Sequence, residues 1–109
     1  MNEKKIAIRE QGRTTYVFPS EVECIKAERA YITIYFKNGK EKTVSDCLRE
    51  YCAMLMASGK FCRVHRSWAV NIDSITEFDN HHFLKLDSGK TIPISEQGKK
   101  ALTDSGFDL

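Results

Sequence analysis

Residues 61–75 read FCRVHRSWAVNIDSI and contain two apolar, strand-like pieces on either side of a polar corner. The pieces are residues 61–64 and 68–72, whose alternating or continuous apolar pattern is typical of strands. The corner between them presents His65, Arg66 and Ser67. An arginine fork can donate two parallel hydrogen bonds to a guanine edge or to a phosphate. This stretch therefore indicates a rigid β scaffold that displays hydrogen-bond donors.

Most of the remaining chain is predicted to form short strands joined by turns. The pair Asn38-Gly39 is a strong hairpin signal, because both residues tolerate positive φ. Pro93 cannot donate to a ladder, so the last strand is expected at a sheet edge or at a bulge. The further strands are predicted at residues 5–9, 15–18, 21–27, 31–36, 40–44, 82–87 and 90–94.

One helix is predicted over about residues 45–58. Ser45 can cap its first turn, Asp46 complements the helix dipole, and Gly59 can end the helix in the left-handed conformation. Apolar residues at helical spacing give one stripe that is expected to cover a face of the sheet. The stripe consists of Leu48, Tyr51, Cys52, Leu55 and Met56.

The C-terminal segment predicts a short helical turn. Ser95 can cap this turn, which would run through Lys99, Lys100 and Leu102, whereas Gly98 weakens a helix there. Many short strands with regular turns indicate a mainly β sandwich with a single helix. No long linker divides residues 1–109, so a single domain is expected.

Composition and charge narrow the class of protein. The 109 residues are 41% hydrophobic and 29% charged, and both fractions are near the averages of globular proteins. The net charge is +2. Basic residues concentrate in residues 26–42 and 60–66, which is compatible with one basic face and equally with a solvated surface of mixed sign. No apolar stretch approaches a membrane span and the first residues are too polar for a signal peptide, so a cytoplasmic location without membrane contact is expected.

Chemistry at a metal or catalytic centre is not expected. The four cysteines form no C-x-x-C pair, and reduced thiols are predicted for Cys24, Cys47, Cys52 and Cys62. Three histidines, His65, His81 and His82, lack the paired spacing of zinc sites. A hydrolytic set of His65, Ser67 and Asp73 has no G-x-S-x-G elbow, and no glycine-rich phosphate loop is present. We therefore predict no enzyme, no cofactor and no metal.

The order of these motifs resembles the LytTR DNA-binding domain of bacterial response regulators in two-component systems. The central signature, F-x-R-V-H-R-S-aromatic-x-V-N over residues 61–71, carries most of the resemblance. Residues 23–36, the hairpin, the lone helix, a last hairpin and the Ile92-Pro93-Ile94-Ser95 element follow the family order. The resemblance implies an elongated β sandwich of short antiparallel strands that regulates transcription by inserting loops into successive major grooves of double-stranded DNA.

The resemblance also implies which residues contact DNA and how the domain assembles. The first loop is Arg29-Ala30-Tyr31, the second is His65-Arg66-Ser67, and the third follows Ser95, with Gln97, Lys99 and Lys100 as candidate contacts. Members often have arginine after that serine, whereas this chain has Glu96-Gln97. Glutamine can read adenine, and Glu96 can accept from cytosine or repel phosphate. Direct DNA repeats, a receiver domain in cis or in trans, and a free monomer that pairs on DNA are expected.

Several residues have a second interpretation that involves no DNA. His65 can cap the corner through backbone hydrogen bonds, Arg63 can lie on a solvated strand face, and Lys99 and Lys100 can belong to a solvated helix end. Ser67 and Asn71 fit a structural role, bonding turn backbone. Aromatic residues in the strand at residues 31–36 could instead stack bases, so a non-catalytic RNA-binding or protein-interaction β module is the alternative.

Overall fold

The computed structural model describes residues 3–45, 48–79 and 82–109, with only the backbone of Leu48 and Arg49. Over these residues the chain forms ten strands and two α-helices, with short 3₁₀ turns at Pro19–Glu21 and Ile72–Ser74. The elements in chain order are β1 (Ile6–Glu10), β2 (Arg13–Val17), β3 (Val22–Glu28), β4 (Tyr31–Phe36), β5 (Glu41–Val44), α1 (Leu48–Met56), β6 (Phe61–His65), β7 (Trp68–Asn71), β8 (Ile75–Asp79), β9 (Phe83–Leu86), β10 (Thr91–Pro93) and α2 (Glu96–Asp104).

A five-stranded antiparallel sheet with the order β5-β4-β3-β7-β6 forms the centre of the molecule. Successive side chains of a strand point to opposite faces of the sheet. A strand of the central sheet with a continuous apolar run can therefore pack against a hydrophobic core on each face. In β3, Cys24 belongs to one core cluster and Ile25 to the other. In β7, Val70 and Ala69 divide in the same way. The two apolar faces explain why this sheet is covered on both sides.

Each face of the central sheet has its own cover. The hairpin β1–β2 and the helix α1 pack on one face through residues such as Ile8, Tyr51 and Leu55. The sheet β10-β9-β8 and the helix α2 pack on the other face through residues such as Leu84 and Leu102. The molecule measures 43 × 35 × 23 Å. The predicted elongated sandwich of short antiparallel strands is confirmed, and β10 with Pro93 lies at a sheet edge as expected.

Helix α1 agrees with the prediction in its apolar face and differs in one residue of it. Tyr51, Cys52 and Leu55 are buried. Met56, predicted as part of the core stripe, is 51% exposed, and Met54 packs against the core instead. The helix ends at Met56, where a turn through Gly59 at φ 77° begins. Asp46, predicted to complement the helix dipole, and the side chain of Leu48 lie outside the described part of the chain.

Helix α2 is longer than the short turn that the sequence predicted. It runs for nine residues, and Ser95 caps it by accepting a hydrogen bond from the Gly98 amide at 3.0 Å. Gly98, which weakened the helix prediction, is buried where α2 meets β6. A Cβ on Gly98 would lie 1.9 Å from the carbonyl oxygen of Val64. Close packing of α2 on β6 therefore requires glycine at this position. The packing offsets the low helix propensity of glycine.

Glu23 is a buried charged residue in the strand that the sequence predicted over residues 21–27. A bulge between Val22 and Cys24 breaks the register of β3 with β4, and the Glu23 side chain is 2% exposed. Its carboxylate accepts hydrogen bonds from the Ser88 amide at 3.1 Å and the Ser88 hydroxyl at 2.8 Å, and it pairs with Lys90 at 3.4 Å. The buried charge thus fixes the β9–β10 turn to the central sheet.

The cysteines with described positions are buried and unpaired. Burial raises the pKa of the Cys24 thiol to about 12 and that of the Cys52 thiol to about 11, and it also raises the pKa of Cys62. Such thiols stay protonated at neutral pH and act as small apolar groups. Cys47 lies outside the described residues. Neither of the two described helices is long and apolar enough to cross a bilayer.

Candidate nucleic-acid interface

Three connections of the chain meet at one end of the central sheet. They are the β3–β4 turn, the β6–β7 turn and the start of α2. Lys26 near the end of β3 pairs with Trp68, the first residue of β7, and the Ala27 amide donates to the Ser67 carbonyl at 2.8 Å. The Ser95 amide, just before α2, donates to the Val64 carbonyl at 2.9 Å. Backbone hydrogen bonds therefore join the three predicted loops into one surface.

The β6–β7 turn is a two-residue connection, Arg66-Ser67, held by side chains from β6. The Arg63 guanidinium donates to the Arg66 carbonyl at 2.7 Å. The Ser67 amide donates to Nδ1 of the half-buried His65 at 3.1 Å. The backbone-capping interpretation of His65 is therefore confirmed. The Arg66 side chain is exposed at the tip of this braced turn.

The β3–β4 turn contains the one described non-glycine residue with positive φ. Arg29 has φ 39° in the two-residue connection Arg29-Ala30. A left-handed conformation costs an L-residue with a Cβ about 1–2 kcal/mol. Arg29 and Ala30 are exposed, and Tyr31 is 56% exposed. The turn thus holds a cation and an aromatic ring in solvent, although glycine would fit the Arg29 backbone with less strain.

A bulge in β6 attaches the start of α2 to the β6–β7 turn. The register of β6 with β7 shifts between Arg63 and His65, so Val64 is the extra residue. A bulge leaves the extra residue outside the ladder. The Val64 carbonyl instead accepts hydrogen bonds from the Ser95 amide at 2.9 Å and the Ser95 hydroxyl at 3.3 Å. The close contact of Gly98 with Val64 completes this attachment.

The two attached segments share an open groove. His65 and Arg66 line it from the turn, and Gln97 lines it from α2. The remaining lining residues are Arg63, Ser95, Gly98 and Ala101. The structure thus brings together residues of the second and third predicted loops, while Arg29-Ala30-Tyr31 lies beside them at the end of β3 and β4.

Residues 12–105 match the family described as the LytTr DNA-binding domain. The chain belongs to this family. Its fold is similar to a solved LytTr DNA-binding domain from Bacillus cereus, part of a protein assigned as a methyl-accepting/DNA response regulator. That match has a TM-score of 0.74 and 21% identity, and it covers 95% of this chain and 97% of the other. A comparison with curated proteins found no match.

The charge of Glu96, the first residue of α2, is balanced within the LytTr domain. Glu96 forms an ion pair with Lys99 at 3.0 Å. The hydrogen bond and the positive charge of Lys99 lower the pKa of the Glu96 carboxyl. Lys99, predicted as a DNA contact, is therefore already paired within the helix, whereas Lys100 is exposed and has no ion-pair partner among the described residues. A similar pair joins Lys26 to Glu28 at 2.9 Å.

Arg63 is the residue at this end of the LytTr domain whose role sequence reasoning missed. Its alternation with Cys62 and Val64 in β6 explained it as a solvated strand residue, and it is indeed exposed. Its hydrogen bond to the Arg66 carbonyl gives it a second role in holding the turn. The available signal was its position three residues before the turn, within reach of the turn backbone.

Asp73 lies apart from His65 and Ser67 in the LytTr domain, so these three residues do not form a hydrolytic set. His65 bonds the Ser67 amide rather than its hydroxyl. Asp73 lies beyond the other end of the β6–β7 hairpin, where it pairs with Lys60 at 3.6 Å. Asn71, expected to be structural, is buried and donates to the Val22 carbonyl at 3.0 Å. Within residues 3–45, 48–79 and 82–109, no three His, Cys, Asp or Glu residues are grouped to hold a metal ion.

Proposed function

We propose that this chain binds double-stranded DNA in a sequence-specific manner to regulate transcription, acting by binding rather than by catalysis. The contacts come from three segments: Arg29-Ala30-Tyr31, the turn His65-Arg66-Ser67 through its exposed Arg66, and Gln97 with Lys99 and Lys100. The observation that carries the proposal is the meeting of these segments at one end of the central sheet in a chain of the LytTr DNA-binding family.

The exposed side chains of these segments have the chemistry that duplex DNA requires. Arg66 can donate two hydrogen bonds to a guanine edge, and Gln97 can form paired hydrogen bonds with adenine. Arg29 and Lys100 are exposed cations without ion-pair partners among the described residues, so they suit phosphate oxygens. In this assignment Arg66 and Gln97 determine sequence preference, while Arg29 and Lys100 mainly set affinity.

We propose that the three segments enter successive major grooves of the duplex, as the family resemblance implies. The longest dimension of the domain is 43 Å and one turn of B-DNA is about 34–36 Å long, so the domain is large enough to lie across one turn. A single module of this size buries only about 600–1,000 Å² of protein surface on DNA. We therefore propose that two copies, monomeric when free, occupy direct repeats spaced by whole helical turns. A receiver domain, in cis or in trans, would control this binding in the cytoplasm.

Selection from a random duplex library tests the proposal. The chain should enrich one sequence motif, and it should bind that motif at least about 10³-fold more tightly than a scrambled duplex at physiological salt. Single-stranded RNA serves as the competitor, because the exposed ring of Tyr31 could also stack a base. Preferential binding of single-stranded RNA, or the absence of an enriched duplex motif, would contradict the proposal.

A further inference from the structure

The peptide group between Arg66 and Ser67 is held at both of its polar atoms by side chains from one strand. Its carbonyl oxygen accepts a hydrogen bond from Arg63 at 2.7 Å. Its N–H donates to Nδ1 of His65 at 3.1 Å. We call this arrangement the peptide clamp: Arg63, His65 and the Arg66–Ser67 peptide. Both polar groups of a turn peptide would otherwise face water, so the clamp restricts the rotation of that peptide plane.

The clamp is continuous with the neighbouring strand. The carbonyl of Ser67 accepts from the Ala27 amide at 2.8 Å, so the peptide that follows the clamped one is fixed as well. The Arg66 carbonyl is therefore held by a side chain of β6. The following residue, Ser67, is hydrogen-bonded at both its N–H and its C=O. These bonds restrain the backbone that follows Arg66, and with it the direction of its Cα–Cβ bond, before any ligand arrives, while its side chain remains exposed.

We propose that Arg63 and His65 are positioning residues that orient Arg66 for base contact without touching a base themselves. This inference rests on the proposed DNA-binding function and assigns a role to two residues of the same site. A side chain already held in its binding direction loses less conformational freedom on binding, which increases the affinity only where that direction is needed. The clamp should therefore increase discrimination between sequences and leave random duplex binding nearly unchanged.

A double-mutant cycle between Arg63 and Arg66 separates positioning from direct contact. In the wild-type background, Arg63→Ala should weaken the selected duplex by about 3- to 10-fold, the scale of ordering one long side chain. Random duplex should weaken by less than about 2-fold, a smaller loss than one phosphate contact gives. In an Arg66→Ala background, Arg63→Ala should weaken binding of either duplex by less than about 2-fold, because the guanidinium of Arg66 is no longer present to be oriented.

The salt dependence of binding provides the second readout. A positioning residue leaves the log–log salt slope unchanged, whereas a lost phosphate contact lowers it by about 0.9. Arg13→Ala is the matched control, because Arg13 is an exposed arginine on the β1–β2 hairpin, outside the central sheet. This control corrects for the loss of one positive charge. Equal losses from Arg63→Ala in both backgrounds, or a lowered slope, would overturn the positioning role.

Substitution of His65 tests the other half of the clamp. Asn can accept from the N–H two residues later, as in an Asx-turn, so His65→Asn should retain most of the discrimination. His65→Leu removes the acceptor and should lose about 3- to 10-fold on the selected duplex alone. Amide exchange at Ser67 in the free protein should accelerate in His65→Leu and stay near wild type in His65→Asn. Identical behaviour of the two variants would overturn the inference.

The outcomes distinguish this inference from the proposed function. If the wild-type chain shows no preference among duplexes, the proposed function fails and the positioning role falls with it. If the wild-type chain discriminates and the losses at Arg63 and Arg66 add, sequence-specific binding stands and only the clamp is overturned.

Discussion

Substitution of Gly98 by alanine reverses the usual effect of that change in a helix. In an ordinary helix interior, Gly→Ala stabilises by up to about 1 kcal/mol. Here the new Cβ would lie 1.9, 2.5 and 2.8 Å from the carbonyl oxygen, carbonyl carbon and Cα of Val64. Ordinary contact begins at 3.4 Å, so α2 must move away from β6 by roughly 1.5 Å. All three contacted atoms belong to the backbone, and no rotamer change can relieve the overlap.

The expected cost follows from these contacts. Overpacking of a fixed site costs about 1–3 kcal/mol, and weakening the two Ser95 bonds to Val64 adds roughly 0.5–1.5 kcal/mol each. After the gain of about 1 kcal/mol in helix propensity, Gly98→Ala should lower the free energy of unfolding by about 1–5 kcal/mol. Urea denaturation measures this change, provided that the m-value, the slope of unfolding free energy against urea concentration, is unchanged. The neighbouring Gln97→Ala is the control and should stay within about 0.5 kcal/mol of wild type. A Gly98→Ala protein as stable as wild type would refute the close packing of α2 on β6.

Four other changes have expected outcomes. Glu23→Gln should cost about 1–3 kcal/mol in chemical denaturation, because a buried acceptor for Ser88 is lost, while Glu77→Gln on the surface should change little; equal effects would contradict the role of Glu23. Arg29→Gly should leave the unfolding free energy unchanged or raise it by up to about 1 kcal/mol and yet weaken duplex binding, whereas a clear loss of stability would show that the turn is unstrained. Gln97→Arg should steepen the log–log salt slope of binding by about 0.9, and an unchanged slope would mean that this segment does not face DNA. The raised pKa of Cys24 gives a contribution to stability that is fully present below the unfolded value of 9.0 and is lost as pH rises from about 9 toward 12. This thiol alone should lower the unfolding free energy by up to about 1.4 kcal/mol per pH unit, in addition to the falls from Cys52 and Cys62. Cys24→Ala should therefore make the fall less steep in pH-dependent denaturation, and an equal fall in both proteins would exclude the Cys24 thiol as a source.

Local patterns in the sequence predicted much of this fold. The β-branched and aromatic run of β4 and the Asn38-Gly39 turn determine local conformation directly, and both are confirmed. Gly98 led the sequence to predict too short a helix at α2. A glycine is needed there because α2 contacts the backbone of Val64, which lies 34 positions earlier in the chain. The burial of Glu23 could not be predicted for a similar reason, since its partners Ser88 and Lys90 come from a distant hairpin. Periodicity reports which residues share a face and contains no information on such distant partners.

The sequence predicted which turn residues of the candidate site are exposed, and it did not predict the hydrogen bonds that hold this turn. Arg66 stood out because it lies in a polar corner between two apolar strands, and the structure indeed exposes it at a turn. The bracing by Arg63 depends on the bulge at Val64 and on the conformation of the turn, which neither spacing nor composition specifies. The pairing of Lys99 with Glu96 was foreseeable from their separation of three residues on a helix, once α2 was known to be a full helix.

Titration of the selected duplex into ¹⁵N-labelled protein, followed by amide chemical shifts, tests the central claim most directly. Binding through the assembled end of the central sheet predicts that the largest shift changes fall at residues 29–31, 65–67 and 95–100, with the side-chain signals of Arg66 and Gln97 among them. The opposite end, around Lys60 and Asp73, should change little. Shift changes centred on that opposite end, or on the β1–β2 hairpin, would contradict the account.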